Sequence, residues 1–292
     1  MSDVVAPRSH QQQHAGWSLR PHLGTYIATL VLIVLAVIYI YPFVVNVLTS
    51  FKSQPEAVAN PLGLPHTWTV AAYQRLFSAS DFPLWFRNSA IVAVVVTVGR
   101  VFFDALAGYA LARLRFPGRG TVFATLVAIM AVPSVVLLIP KFLVLKQLNI
   151  YNTYAALIIP LLVDAAGIFI IKNFFESIPV SVEEAARIDG ASTFRIFWSV
   201  VLPMARPAII TIVILSFQGS WNELSHFIIA SDRPDLFTLT KGVAQLSSGA
   251  LSAGTQYPIK LAAAAIMTIP VAVAFFVFQK RIMNVSSGAV KE

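Results

Sequence analysis

The chain has 292 residues, 57% of them hydrophobic and only 12% charged, with a formal charge of +8 and a mean hydropathy of +0.76. This balance excludes a soluble globular domain, because several apolar runs reach the roughly 20 residues that a helix needs to cross a bilayer. There is no cysteine, which excludes disulfides, thiol nucleophiles and cysteine-held metals, and the positive charge reads as the lysine and arginine excess of a membrane chain rather than as a nucleic-acid surface.

Residues 1–24 form a polar tail whose histidines stand without clustered carboxylates, so they read as solvated rather than metal-binding. Six apolar spans follow, at Thr25–Thr49, Asn88–Ala112, Thr121–Ile139, Tyr154–Ile171, Ala208–Ala230 and Ile259–Phe278. In a bilayer each must be a helix, because an open strand edge leaves backbone groups without partners. The first run is too long for a signal-peptide core and has no small-x-small cleavage site, so it reads as a retained anchor. The expected fold is an all-α integral membrane protein of six transmembrane helices, with a membrane domain at 25–279, a loop at about 172–206 and a tail at 280–292.

An even number of spans puts both termini on one side. Placing them in the cytoplasm gives twelve Lys and Arg inside against eight outside, and the short loop "RLRFPGRG" then carries three arginines and no acid on the inner side. The loop from about 50 to 86 falls outside; its four prolines, tryptophan and tyrosine suit an ordered lid or docking platform.

Ionisable groups inside the spans are costly and face a partner helix or a water-filled path. Arg100 and Asp104 are spaced i to i+4, close enough to neutralise one another. Just beyond them Gly108 and Ala112 form a small-xxx-small pair suited to close helix packing. Asp164 has no local cation. The fifth span is the most polar, "SFQGSWNELSH", and its Gln218, Trp221, Asn222 and Glu223 either line a solute path or fasten helices together. An aromatic beside amides and a carboxylate suits a polyhydroxylated solute. No nucleotide-binding P-loop, metalloprotease motif or nucleophile elbow accompanies them, so no catalytic residue is assigned.

The stretch "EEAARIDGASTFRIFWSVVLP", residues 183–203, places four charges and a glycine within its first eight residues, between apolar runs. Ser181 and Glu184 have the spacing of a capping box, Glu183 and Arg187 that of an i to i+4 pair, and Gly190 suits the left-handed residue that closes a helix. A second helical stretch follows, with Phe194, Phe197, Trp198 and Val201 on one face. With two glutamates leading it, this pair of short helices fits a groove on a soluble protein better than a lipid surface.

Glu184, Ala185, Ala186, Gly190, Val200, Leu202 and Pro203 match the spacing of the Glu-Ala-Ala ("EAA") loop of binding-protein-dependent ABC importer permeases, with Val200 where that family usually has isoleucine. Further stretches, "TSFKSQPEAVANP", "AGYALARLRFPGRG", "GSWNE" and the closing "GAVKE", resemble the carbohydrate permeases of the maltose-transporter type, in particular their MalG-like subunit. Glu292 stands where that family usually ends in glycine. The resemblance implies an inner-membrane permease that pairs with a second homologous permease, two ATP-binding subunits and an external solute-binding protein, to import a sugar or sugar-like solute. It implies that ATP and magnesium are held by the partner ATPase and that this chain binds no cofactor. Coupling to the ATPase then falls to Glu183, Glu184, Ala185, Ala186, Asp189, Gly190, Leu202 and Pro203, and a terminal ATPase contact to Ser287, Gly288, Ala289, Val290 and Lys291. The rival reading is an ion-coupled carrier working through Arg100, Asp104, Asp164 and Glu223; six spans with no internal repeat argue against it.

Overall fold

The computed structural model describes residues 23–248 and 256–288, and among them every regular element is helical. In chain order these are α1 (Leu23–Ser50), α2 (Gln54–Ala59), α3 (Ala71–Ser78), α4 (Phe82–Arg113), α5 (Arg119–Met130), α6 (Leu138–Gln147), α7 (Tyr154–Ile158), α8 (Ala165–Ser177), α9 (Val180–Ile188), α10 (Thr193–Ile196), α11 (Leu202–Met204), α12 (Arg206–Asn222), α13 (Ser225–Ala230), α14 (Leu239–Ser248) and α15 (Tyr257–Gly288). The chain divides into two units, residues 1–45 and 46–292. The described part of the first is the apolar body of α1, with Pro42 inside the helix.

By length and composition four stretches can cross a membrane, Gly24–Ser50, Phe82–Arg113, Tyr154–Ser177 and Tyr257–Gln279, and six can if two bent pairs each count as one span. The third expected span, Thr121–Ile139, is one of these pairs: Arg119–Met130 meets Ser134–Gln147 at 102°. Pro133 supplies no backbone N–H and pushes the residue before it out of helical geometry, so the chain turns there and resumes through a 3-10 turn at Ser134–Leu137. The fifth expected span, Ala208–Ala230, also stops early. It ends at Asn222, where Glu223 turns extended with ψ 129°.

In the second unit α4 is the central strut. Its first turns pack Phe82 and Trp85 against Trp221, Leu239 and Ala262. Its middle packs Val92 and Val96 against Leu145, Leu157 and Phe227. Its last turns pack Ala105 and Tyr109 against Ile171, Phe175, Phe197 and Val201. Within a bilayer such burial is not driven by the hydrophobic effect, since lipid is as apolar as the core; close packing and polar contacts hold the helices instead. Gly108 lets α4 approach α8 closely, because a Cβ there would stand 2.5 Å from the Ile171 Cγ2 of α8.

Candidate functional site

The loop after α8 is built at its start by a proline. Pro179, at φ −57° and ψ 131°, leads into α9, which begins at Val180. The capping box expected at Ser181 and Glu184 therefore does not form: Ser181 already lies in the first turn, and the locked φ of Pro179 sets the helix start. The end of α9 is as the sequence indicated. Gly190 adopts φ +80°, its N–H donates to the Arg187 carbonyl at 3.0 Å, and the Ala191 N–H reaches back to the Ala186 carbonyl at 3.0 Å. This paired closure satisfies carbonyls the helix end would otherwise orphan, and a residue with a Cβ at 190 would strain it.

Glu183 is turned inward and is 1% exposed. Its Oε1 forms an ion pair with Arg113 Nε at 2.8 Å, its Oε2 lies 3.7 Å from Arg187, and its Oε2 accepts a hydrogen bond from the Tyr109 hydroxyl at 3.0 Å. The same Arg113 donates through Nη2 to the Phe175 carbonyl at 2.6 Å and to the Ile178 carbonyl. One guanidinium at the end of α4 thus holds the end of α8 and the first turn of α9, where helix-terminal carbonyls favour a cation. Glu183 was expected at the partner surface; the structure makes it an internal anchor, with its i to i+4 contact to Arg187 as the weakest of its three. Tyr109 and Arg113 were not singled out from the sequence, although both stand in the quoted "AGYALARLRFPGRG". Arg113 read only as a loop charge, and nothing local in the sequence pairs it with an acid seventy residues on.

The other loop residues present a surface. Glu184, Ala185, Asp189 and Gly190 are exposed and Ala186 is half-buried; Leu202 is half-buried and Pro203 exposed. Ile188 is 87% exposed. The apolar face expected from Phe194, Phe197, Trp198 and Val201 divides in two. Residues Phe197–Val201 form a widened π-type turn, which shifts the register. Ile196, Phe197, Val201 and Ala205 go inward, whereas Phe194 and Trp198 are exposed and stack on each other at 6.4 Å.

The polar segment of α12 also divides. Leu215, Gln218, Gly219 and Asn222 are exposed, at i, i+3, i+4 and i+7, so they form one continuous face. Trp221 lies on the other side, 3% exposed; its Nε1–H donates to the Met267 carbonyl at 3.1 Å and its ring stacks on Phe217. Trp221 is thus a packing residue, the second of the two roles that its sequence context allows. Glu223 caps the next helix, its Oε1 accepting from the His226 N–H at 2.9 Å while its carbonyl accepts from the Thr240 hydroxyl at 2.6 Å.

Arg100 and Asp104 do not pair. Arg100 Nε donates to the Leu161 carbonyl at 2.6 Å, and Asp104 Oδ1 accepts from the Asp164 N–H at 3.0 Å. Asp164 caps α8, accepting from the Gly167 N–H at 3.1 Å. Both carboxylates therefore sit at one helix N-terminus, where backbone donors and the helix dipole favour negative charge. A Cβ on Gly167 would stand 2.1 Å from Asp104 Oδ2, so glycine is what lets the second carboxylate in. At the chain end, Ser287 and Gly288 belong to α15, and Ala289, Val290 and Lys291 lie outside the described residues.

Residues 104–283 match the family model described as "Binding-protein-dependent transport system inner membrane component". The chain belongs to this family. It is a membrane permease, then, and relatives of known name agree. It is 33% identical over 261 residues to the inner membrane ABC transporter permease protein YcjP of Escherichia coli K12, covering 87% of this chain and 92% of that one. It is 33% identical over 263 residues to the diacetylchitobiose uptake system permease protein NgcG of Streptomyces coelicolor, with 89% and 87% covered. Among solved structures it superposes with a TM-score of 0.76 and 27% identity on a chain of a bacterial ABC transporter that imports the acidic polysaccharide alginate, covering 87% of this permease and 95% of that chain. Membership of an ABC permease family disfavours the ion-coupled carrier, and the groups invoked for it, Arg100, Asp104, Asp164 and Glu223, are each engaged in backbone hydrogen bonds.

Proposed function

We propose that this permease is one of two non-identical membrane subunits of an ATP-driven importer for a sugar or sugar-like solute, with its termini in the cytoplasm of a prokaryotic cell. Separate subunits bind ATP and magnesium and hydrolyse the nucleotide, and an external binding protein delivers the solute. The sugar reading is supported by the printed names of relatives: diacetylchitobiose for NgcG, sulfoquinovosyl glycerol for SmoH of Agrobacterium fabrum, 33% identical over 256 residues, and arabinooligosaccharides for AraQ.

The observation that carries the coupling role is the two-sided build of α9. One side is fixed inside the permease through Glu183, while Glu184, Ala185 and Ile188 stand bare on the other. A helix held this way moves with α4 and α8 when a partner pushes on its outer side. Movement of the ATPase subunits is thereby passed to the spans, and Gln218, Gly219 and Asn222 line the path that opens and closes. An exposed polar face on a membrane helix fits a path or a partner subunit, because lipid solvates amides poorly. In proteoliposomes holding the complete transporter, Glu184→Lys or Gly190→Val is expected to reduce ATP-driven uptake at least tenfold with all subunits still assembled. Normal uptake by either variant would remove the coupling role from this loop.

A further inference from the structure

Arg100 is the one mid-span cation whose hydrogen-bond capacity the fold leaves mostly unused among the described residues. Its Nε is committed to the Leu161 carbonyl at 2.6 Å, but no acceptor among the described residues takes a bond from its two Nη groups. One of them, Nη1, lies against α12, where a Cβ on Gly219 would stand 3.7 Å from it. Gly219 belongs to the exposed face with Gln218 and Asn222, and the absence of a side chain there leaves the guanidinium uncovered on that face. The carboxylates of the membrane domain that the sequence singled out are each already engaged: Asp104 by the Asp164 N–H, Asp164 by the Gly167 N–H and Glu223 by the His226 N–H. The Asp104 oxygen that lacks a donor is shut in against Gly167, with the residue 0% exposed. The carboxylates are thus turned to backbone amides, while the guanidinium keeps four Nη N–H donors without an acceptor among the described residues, with Nη1 beside Gly219 on the polar face.

We infer that Arg100 reads negative charge on the solute path, and that the class of solute this path suits is a sugar carrying a carboxylate or a sulfonate. The inference rests on the reading of Gln218, Gly219 and Asn222 as path-lining. A planar guanidinium gives paired, charge-assisted hydrogen bonds to oxyanions and has no acceptor to offer a cation. Neutral hydroxyls are satisfied by Gln218 and Asn222; a fixed cation half-buried in the membrane domain is costly and serves an anion.

The native chain has no cysteine, so Asn222→Cys introduces a single reporter thiol into it. In the complete transporter, its modification is followed by mass spectrometry of this chain with two methanethiosulfonates, the anionic 2-sulfonatoethyl and the cationic 2-trimethylammonioethyl reagents. The anion-to-cation rate ratio, normalised to that of a free thiol, is expected to exceed one, to fall about tenfold when Arg100→Gln is added, and to survive Arg100→Lys; a unit charge one helical turn away in a wet path has an effect of that order. A normalised ratio at or below one with Arg100 present overturns the inference even if the Arg100→Gln complex fails to assemble, and so does a ratio that Arg100→Gln leaves unchanged. If the thiol reacts with neither reagent until the protein is denatured, the path reading itself fails and the inference falls with it.

Discussion

The two ends of α4 are fixed by different chemistry. At its start, Asn88 is fully buried and its bonding is neutral: Nδ2 donates to the Asp235 and Phe237 carbonyls at 2.9 Å each, and Oδ1 accepts from the Tyr154 hydroxyl at 2.6 Å. The neighbouring Ser89 hydroxyl accepts the Leu239 N–H at 2.7 Å. At its far end Arg113 and Glu183 are ionised, and they join three separate helices. A satisfied neutral network fixes position at small desolvation cost. A buried ion pair gains little over an apolar pair of the same shape, but losing one partner strands a charge and is severe. The first end holds loops still. The second ties α9 to α4 and α8, and in the proposed coupling role its cost is accepted because that helix moves as one body with its neighbours.

The difference between the two ends of α4 has its largest expected effect at Arg113. Arg113→Gln is expected to destabilise the assembled permease by about 3–5 kcal/mol, the scale for stranding a buried charge, as read by thermal unfolding of the detergent-solubilised complex. The double change Glu183→Leu with Arg113→Met is expected to recover most of that stability without recovering uptake. Recovery of both would mean that the pair is packing only. At the other end Asn88→Ala orphans two carbonyls and a hydroxyl, and a loss of about 1–3 kcal/mol is expected. ATP hydrolysis per molecule transported is expected to stay unchanged there, and a rise would contradict the static role given to that end. Trp221→Phe removes one interhelical hydrogen bond, a loss of about 0.6 kcal/mol on the membrane average, with apparent solute affinity unchanged. Phe194→Ala, on the exposed side of the loop, is expected to alter stability by no more than about 0.5 kcal/mol; its effect is expected instead in weaker recovery of the ATPase subunits when the permease is purified.

Hydropathy alone carried much of this architecture, because span length and lack of charge are local properties. The C-terminal closure of α9 at Gly190 was legible for the same reason: a glycine after an alanine-rich turn has few other uses there. What escaped was non-local or register-dependent. Pro133 bends the third span inside an unbroken apolar run, which leaves no trace in hydropathy. The apolar face of the second short helix divides at a widened turn, Phe197–Val201, with Phe197 and Val201 inward and Phe194 and Trp198 exposed, which apolar spacing alone does not reveal. Arg100 and Asp104 have the spacing of a pair, yet the amide donors at the start of α8 and the Leu161 carbonyl compete successfully for them. Trp221 looked like a sugar platform by composition, and only the position of Met267 shows that its indole N–H is already taken.

The proposed coupling role requires α9 to be joined to α4 through Glu183. The most direct measurement is ATP-driven uptake and ATP hydrolysis, side by side, in proteoliposomes containing the complete transporter with Glu183→Gln. Uptake is predicted to fall at least tenfold while the ATPase subunits remain bound and hydrolysis persists. Uptake and hydrolysis both at the unaltered level, with the variant fully assembled, would contradict the claim that this buried carboxylate connects the loop to the spans.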